Sequence, residues 1–360
     1  MKAPEQFKME WAKLLNPNRH EGTSQKKPDH REQFERDYDR TVFSAPVRRL
    51  QDKTQVFPLD PNDSVRTRLT HSLEVSTLAR GLARSVTIKL KEKKKISGNM
   101  DRQIEAIAAT CGLLHDLGNT PFGHAGEYAI QNWFEEHFSK DPSLKPLLSD
   151  SQFTQDFLHF QGNAQTIRLI TKLQILAGRG GLNLTYGTLS AAMKYVSASN
   201  EIGQKKGHIF SKLGYFASEN EIVKKIRSET GTEAYRNPIT FLVEAADDLA
   251  YSVVDLEDAI SKGILDWKTL KEVLKKKLGK ENAVLYQKTI EDTNRVLRIS
   301  DKAKFNKLIY PDQSYARAFR TAVIGLAIGA TAERFLEKYN DIMGGKYYDE
   351  IVYDTPVGIH

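Results

Sequence analysis

The sequence predicts an all-α protein with at most minor, short β elements. Three long stretches support this prediction, because their apolar residues recur at intervals of three and four, which is the period of an α-helix. The alternation of apolar and polar residues that marks a half-buried strand is weak throughout the 360 residues. The three stretches are HSLEVSTLARGLARSVTIKL from residue 71, QIEAIAATCGLLHDLG from residue 103 and TFLVEAADDLAYSVVDLEDAI from residue 240.

The first two stretches each carry one apolar stripe. The stripes are Leu78, Leu82, Val86 and Leu90 in the first stretch, and Ile104, Ile107, Cys111 and Leu114 in the second. Glycine commonly follows the last turn of a helix, so Gly118 predicts a helix end just after the second stripe. We therefore expect His115 and Asp116 at the C-terminal end of a buried helix.

The third stretch opens with Pro238 and Thr240, residue types that favour the start of a helix. Residues three or four apart share a face of a helix, which gives this helix one polar face. That face consists of Glu244, Asp247, Tyr251, Asp255 and Asp258. By itself, the face is most simply interpreted as a solvated surface stripe.

Composition and charge limit the class of protein. Hydrophobic residues make up 40% of the chain and charged residues 28%, which is typical of a globular protein. The chain has no run of 18 apolar residues and no apolar signal-peptide core near its N-terminus, so we expect a cytoplasmic protein without a membrane partner. The single cysteine, Cys111, excludes an internal disulfide and a cysteine-based zinc site.

The net charge of +7 favours an anionic partner, either nucleic acid or a phosphorylated small molecule. Much of the excess positive charge lies in KLKEKKK (residues 89–95) and KEVLKKKLGK (residues 271–280). Lysine runs of this kind are more often solvated helix faces than binding sites.

The stretch LLHDLGNTPFGHAGE, residues 113–127, places two histidines, an aspartate and a glutamate among mostly apolar or small residues. Charges in such surroundings need a partner or a metal ion. The candidate metal donors in the chain are His71, His115, Asp116 and either Asp247 or Asp248. Two imidazoles and two carboxylates suit an octahedral divalent ion, which acidifies a bound water and offsets the charge of a phosphoryl group.

Six blocks of the sequence carry a resemblance to a known family. They are RDYDRTVFSAPVRRLQDKTQVFPL (36–59), TRLTHSLEV (67–75), HDLGNTPFGHAGE (115–127), HFQGNAQTIRLI (159–170), GGLNLTYGTLSAAMKYV (180–196) and EAADDLAYSVVDLEDAI (244–260). In this order they resemble the HD-domain superfamily of metal-dependent phosphohydrolases, and within it the deoxynucleoside triphosphate triphosphohydrolase (dGTPase-type) branch. The resemblance spans roughly residues 35 to 260 and implies the helical HD-domain fold.

The resemblance implies a divalent metal ion, either manganese, magnesium or iron. Its ligands would be His71, His115, Asp116 and Asp247. Asp247 is favoured over Asp248 because the family's ligand is followed four residues later by a tyrosine and eight residues later by an aspartate. Tyr251 and Asp255 satisfy that register.

The family cleaves deoxynucleoside triphosphates at the α-phosphorus, which yields a deoxynucleoside and tripolyphosphate. His124 and Glu127 match its catalytic pair. In this role Glu127 would hold His124 in its charged form, and His124 would act as general acid toward the departing 5′ oxygen.

The resemblance also implies residues that bind the substrate. Arg68 matches a phosphate-contacting arginine, and Lys212 and Arg317 are weaker candidates for the same role. The set that recognises the sugar would be Gln55, Tyr251 and Asp255. Asp255 would accept a hydrogen bond from the 3′-hydroxyl, and Tyr251 would leave no room for a 2′-hydroxyl.

The predicted organisation is an N-terminal arm or peripheral helix (1–40), an HD-domain phosphohydrolase core (41–265) and a helical C-terminal region (266–360) that is shorter than in the family.

The resemblance implies a homo-oligomer, such as a hexamer built from dimers, and an effector such as single-stranded DNA or a nucleotide. Two alternatives stay open: an HD-type enzyme for another nucleotide phosphoester, and a single-stranded nucleic-acid-binding protein with a regulatory HD site.

Overall fold

The computed structural model describes residues 7–22, 30–58, 65–143, 151–174, 180–299 and 311–355. Throughout these ranges the regular structure is helical, and the β structure is limited to isolated bridges. The bridges pair Arg19 with Thr185, Thr54 with Thr67, and Ser197 with Leu213. The prediction of an all-α protein with minor β elements is confirmed.

The chain divides into two compact units. The core unit comprises residues 1–246 and 335–351, and the second unit comprises residues 247–334 and 352–360. Compactness does not test whether the predicted segments 1–40, 41–265 and 266–360 fold independently, so that division stays a prediction.

The first ten α-helices described in the core unit lie between residues 11 and 230. They are α1 (Trp11–Leu14), α2 (Gln33–Val42), α3 (Ala45–Arg49), α4 (Arg68–Glu92), α5 (Met100–Leu114), α6 (His124–Lys140), α7 (Ser151–Leu158), α8 (Gly162–Arg168), α9 (Tyr186–Ala191) and α10 (Asn220–Thr230). A single π-helical turn, Leu169–Leu173, follows α8.

Helix α11 (Pro238–Ser261) begins at the predicted proline, and its residues from Asp247 onward belong to the second unit. The second unit also contains α12 (Trp267–Glu281), α13 (Ala283–Ile299) and most of α14 (Pro311–Glu337). The last turn of α14 and helix α15 (Tyr339–Met343) belong to the core unit.

None of the helices in the described ranges is long and apolar enough to cross a membrane.

Helices α4 and α5 pack along each other through the predicted stripes. The second stripe is fully buried, and in the first stripe only Leu78 is half-exposed. The helices approach closely at Gly112, where an added Cβ would lie 2.7 Å from the Cα of Ser76. The Ser76 hydroxyl donates to the Ala109 carbonyl at 2.8 Å. This close packing fixes the register in which His71 and His115 meet.

The described N-terminal residues are packed into the core unit. Phe34 of α2 is buried, and Asp37 forms a buried ion pair with Arg19 at 2.6 Å. Asp37 also accepts hydrogen bonds from the backbone and hydroxyl of Thr185. Arg19 and Asp37 neutralise each other inside the protein, whereas the ion pair between Arg31 and Asp39 is exposed.

The second unit has its own apolar core. Trp267 stacks on Tyr315 with ring centroids 5.2 Å apart and contacts Phe319 of α14. Ile260, Leu270 and Ala316 complete the buried part of this cluster. The cluster joins α11, α12 and α14 within the unit.

Candidate active site

The start of α4 positions the first two predicted site residues. Thr67 caps the helix, since its hydroxyl accepts a hydrogen bond from the backbone of Thr70. Arg68 is therefore the first helical residue, and His71 follows one turn later on the buried side. The backbone N–H of Arg68 donates to the carbonyl of Lys53 at 2.8 Å, which holds the loop before α4 beside the site.

The end of α5 brings the HD dipeptide to His71. His115 Nδ1 lies 2.7 Å from the carbonyl oxygen of Gly112. Because a carbonyl only accepts, Nδ1 carries the hydrogen and Nε2 of the neutral ring keeps its lone pair. The rings of His71 and His115 meet edge to face with centroids 5.2 Å apart.

The three side chains His71, His115 and Asp116 offer one ligand atom each, and these atoms lie within 4.8 Å of one another. Two imidazole nitrogens and a carboxylate oxygen form a donor set that divalent first-row ions accept. The preset tautomer of His115 presents a lone pair, as a metal ligand must. The residues present therefore fit a divalent ion.

Asp116 is held from two sides. Arg68 Nη1 donates to its Oδ2 at 2.5 Å, and the Asn119 side chain donates to its Oδ1 at 2.5 Å. Lys53 donates to the carbonyl of Asn119 at 2.7 Å. Burial and the neighbouring Arg68 charge lower the pKa of Lys53, and Asp116 acts in the opposite direction. Asp116 is therefore held by one cation, Arg68, and by one neutral donor, Asn119.

The predicted catalytic pair begins helix α6. His124 Nδ1 lies 2.7 Å from Glu127 Oε2, and its side chain is 68% exposed while Glu127 is buried. The second carboxylate oxygen of Glu127 accepts the backbone N–H of Gly162 at 2.7 Å. Gly123, just before His124, has a φ of +55°, and a Cβ added there would lie 2.9 Å from Arg68 Nη2. His124 is thus accessible to solvent, and the turn that carries it lies beside Arg68.

Two further predicted residues lie in the core unit. The side-chain oxygen of Gln55 is buried and has no hydrogen-bond partner in the described part of the chain, and the same holds for Arg68 Nε. Lys212 lies over the Tyr195 ring, 5.8 Å from its centroid. The described residues therefore leave polar capacity at Gln55 and Arg68 that a ligand can use.

Four predicted residues lie in the second unit. Asp247, Tyr251 and Asp255 are on α11, with Asp247 and Asp255 half-buried and Tyr251 39% exposed. The Tyr251 hydroxyl is hydrogen-bonded to that of Tyr353. Arg317 on α14 lies 3.7 Å from Glu257. The roles assigned to these four residues stay predictions.

The structure also contains a second histidine and carboxylate cluster, which the sequence did not reveal. His208 Nε2 lies 3.4 Å from Glu244 and 3.3 Å from Glu350. Burial raises the pKa of Glu244, but Arg236, His208 and Lys194 together lower it to about 2. Glu244, on the predicted polar face, is in fact buried and ion-paired with Arg236. No motif links these residues in sequence, because they come from four separate segments.

Comparison with known proteins places the chain among relatives of similar organisation. The HD domain family matches residues 68–149. A deoxyguanosinetriphosphate triphosphohydrolase-like protein of Listeria innocua is 39% identical over 363 aligned positions, which cover 96% of this chain and 74% of that protein. The chain belongs to the dGTPase-type triphosphohydrolase family of HD-domain proteins.

Other members of the family align over similar lengths. A deoxyguanosinetriphosphate triphosphohydrolase of Yersinia enterocolitica is 34% identical, covering 89% of this chain and 68% of that protein. A triphosphohydrolase-like protein of Synechocystis is also 34% identical, covering 96% and 76%. The predicted family resemblance is confirmed. HD domains bind divalent metal ions, and the matched segment contains His71, His115 and Asp116.

Sequence reasoning missed two residues that hold the site together. Lys53 and Gly162 both lie in blocks that carry the family resemblance, but Gly162 has no side chain, and Lys53 is one of many lysines in the sequence. Their contacts are with the backbone of Asn119 and with Glu127. Such contacts follow from the path of the main chain, which spacing in sequence does not reveal.

Proposed function

We propose that the protein hydrolyses deoxynucleoside triphosphates, in a metal-dependent reaction, to a deoxynucleoside and tripolyphosphate. The observation that supports this most directly is the grouping of three metal donors, the Arg68 guanidinium and the His124–Glu127 pair at the meeting point of α4, α5 and α6. Relatives named as deoxyguanosinetriphosphate triphosphohydrolases support the same substrate class.

The metal ion is proposed to be divalent, either manganese, magnesium or iron, with His71, His115, Asp116 and Asp247 as its ligands. When bound, it would supply Lewis-acid stabilisation of the negative charge that develops at the α-phosphorus. Arg68 would bind a phosphate oxygen through the same guanidinium that holds Asp116. Its charge would thereby orient both the metal ligand and the substrate.

His124 is proposed to protonate the departing 5′ oxygen. The Glu127 carboxylate accepts the hydrogen on Nδ1, which leaves Nε2 as the nitrogen that delivers a proton. The exposure of His124 allows a substrate to reach it, while the burial of Glu127 fixes the orientation of the ring. In this arrangement the proposed acid, His124, is accessible to substrate, and the carboxylate that orients it, Glu127, is buried.

The remaining assignments rest on the resemblance. Gln55, Tyr251 and Asp255 are proposed to select deoxyribose, and Lys212 and Arg317 are proposed to bind the polyphosphate. The homo-oligomer, the single-stranded DNA or nucleotide effector and the cytoplasmic location also stay predictions. A different phosphoester substrate is the second candidate, because the metal donors alone do not distinguish phosphoesters.

Product analysis tests the proposal. The protein is incubated with each dNTP and each rNTP in the presence of manganese, and the products are separated by anion-exchange chromatography. We expect deoxynucleoside and intact tripolyphosphate from dNTPs and a much slower reaction with rNTPs. His115→Ala should abolish both products. His137→Ala, which changes a half-buried histidine on α6, should leave them unchanged.

Formation of pyrophosphate or orthophosphate instead of tripolyphosphate would reject the proposed bond and favour the second candidate. Absence of any product, together with salt-dependent binding of single-stranded DNA, would favour the nucleic-acid-binding alternative. Each result therefore selects one of the three functions.

A further inference from the structure

We propose that Gly162 is a positioning residue for the reaction, because its backbone N–H fixes Glu127 and through it the proton donor His124. The inference rests on the proposed function and goes one step beyond it. It assigns a role to the start of α8, a segment that supplies neither a metal donor nor a predicted substrate contact.

The Glu127 carboxylate uses each oxygen for a different partner. Oε2 accepts from His124 at 2.7 Å, and Oε1 accepts from the Gly162 N–H at 2.7 Å. Glu127 is only 3% exposed, so water does not compete effectively for either oxygen. A carboxylate with one donor on each oxygen is held in a single orientation. Because the imidazole of His124 is hydrogen-bonded to this carboxylate, the orientation of its ring is fixed as well.

The space beside Gly162 is filled by two side chains of the site. An added Cβ would lie 2.3 Å from the Asn119 side-chain oxygen and 2.8 Å from Glu127 Oε1. Both distances are shorter than van der Waals contact, so the side chains of Asn119 and Glu127 would both have to move. Asn119 also holds Asp116, and therefore the space at Gly162 is shared by the metal-binding turn and the catalytic pair.

A further contact keeps Gly162 in place. The backbone N–H of Gly118, in the turn after the HD dipeptide, donates to the Thr166 hydroxyl at 2.9 Å. The same hydroxyl donates to the Gly162 carbonyl at 3.2 Å. Gly118 allows this approach, since a Cβ there would lie 2.2 Å from that carbonyl oxygen. The first turn of α8 is therefore anchored to the HD turn.

A double-mutant cycle tests the role. Gly162→Ala should lower kcat by about 10- to 100-fold with KM changed less than about 3-fold, because displacement of a catalytic group by a fraction of an ångström affects the chemical step. In the Glu127→Ala background the same substitution should have a much smaller effect on kcat, limited to what its contact with Asn119 transmits. Gly81→Ala is the matched control, since a Cβ at that exposed helical glycine contacts nothing within 4 Å. Equal losses in both backgrounds would show a purely structural role and overturn the proposal.

Thr166→Val provides a second variant if Gly162→Ala does not fold, which thermal unfolding will show. It preserves the shape of the side chain but removes the hydroxyl that anchors Gly162. We expect a smaller loss of kcat, about 3- to 10-fold, that again disappears in the Glu127→Ala background. Persistence of the loss in that background would contradict the proposal.

Hydrogen exchange measured by mass spectrometry separates this inference from the proposed function. The Gly162 amide should exchange faster in Glu127→Ala than in the wild type, because its acceptor is lost. Unchanged exchange would show that the contact does not hold Gly162, whatever the activity. A protected amide in a protein that forms no tripolyphosphate would instead reject the proposed function while leaving the contact intact.

Discussion

Two clusters in the core unit each gather histidine and carboxylate groups at metal-binding distance, yet their surroundings differ. His71, His115 and Asp116 form one cluster, and His208, Glu244 and Glu350 form the other. In the second cluster Glu244 forms ion pairs with both Arg236 and Lys194, and Glu350 lies 3.3 Å from His208. In the first cluster Asp116 is bound by the Arg68 guanidinium, whose Nε has no partner among the described residues, and the exposed His124, which we propose as the proton donor, is held by Glu127. Proximity of donors alone therefore does not identify a reaction centre.

The largest expected effect is the difference in metal content and activity between a variant of the first cluster and a variant of the second. His115→Ala should remove bound manganese and reduce kcat by more than about 100-fold, since it deletes a metal donor. His208→Ala should retain manganese and activity, because Glu244 of this cluster is already paired with Arg236 and Lys194. Metal content by mass spectrometry and tripolyphosphate release measure both effects. Loss of manganese from His208→Ala alone would reverse the assignment of the two clusters.

The second effect concerns His124, the general acid proposed for the reaction at the first cluster. His124→Ala should lower kcat by about 100- to 10,000-fold, the usual contribution of general acid–base catalysis. His137→Ala on the same helix is the control, because His137 stacks on Trp133 with centroids 4.1 Å apart and has no contact with the proposed site. Steady-state kinetics with dGTP gives both values. Equal rates for the two variants would remove His124 from the mechanism.

The third effect concerns the stability that the second cluster provides. The pKa of Glu244 is about 2 in the folded protein and 4.5 as its ordinary value. A lowered carboxyl pKa contributes stability above pH 4.5, and this contribution is lost as the pH falls from 4.5 toward 2. The full contribution is roughly 3 kcal/mol.

Urea denaturation between neutral pH and the acid limit of the native state measures this contribution. The free energy of unfolding of the wild type should fall more steeply with acidification than that of Glu244→Gln, which cannot ionise at this position. Parallel curves for the two proteins would show that Glu244 is not held ionised by Arg236.

The smallest effect concerns the support of Asp116. Asn119→Ala removes the hydrogen bond to Asp116 Oδ1 but no metal donor, and it should reduce manganese affinity or kcat by about 10-fold. Asn132→Ala, an exposed position on α6, serves as the control. Titration with manganese distinguishes the two. Unchanged affinity and rate would show that Arg68 alone orients Asp116.

Much of the fold followed from local patterns in the sequence. The stripes of α4 and α5 have the helical period, and Pro238 begins α11 as predicted. The histidines and Asp116 were assigned to one site because each lies within a family motif, and the structure gathers the three in the core unit. A motif is defined by residue types and their spacing, and both can be read from a single sequence. These three residues could therefore be assigned before the structure was known.

The contacts that support the site were not visible in the sequence. Gly162 acts through a backbone N–H, which every residue except proline has, so its type gives no indication of the partner. Glu244 was placed on a polar face that is most simply solvated, but Arg236 allows it to be buried. Pairings between distant segments depend on the tertiary fold, and periodicity within one helix contains no information about them.

The most direct test of the central claim is the fate of the oxygen from water. The protein is incubated with dGTP and manganese in water labelled with heavy oxygen, and the products are analysed by mass spectrometry. Attack at the α-phosphorus places the label in tripolyphosphate and leaves deoxyguanosine unlabelled, which is the result we predict. Label in deoxyguanosine, or label in pyrophosphate or orthophosphate without tripolyphosphate, would contradict the proposed reaction.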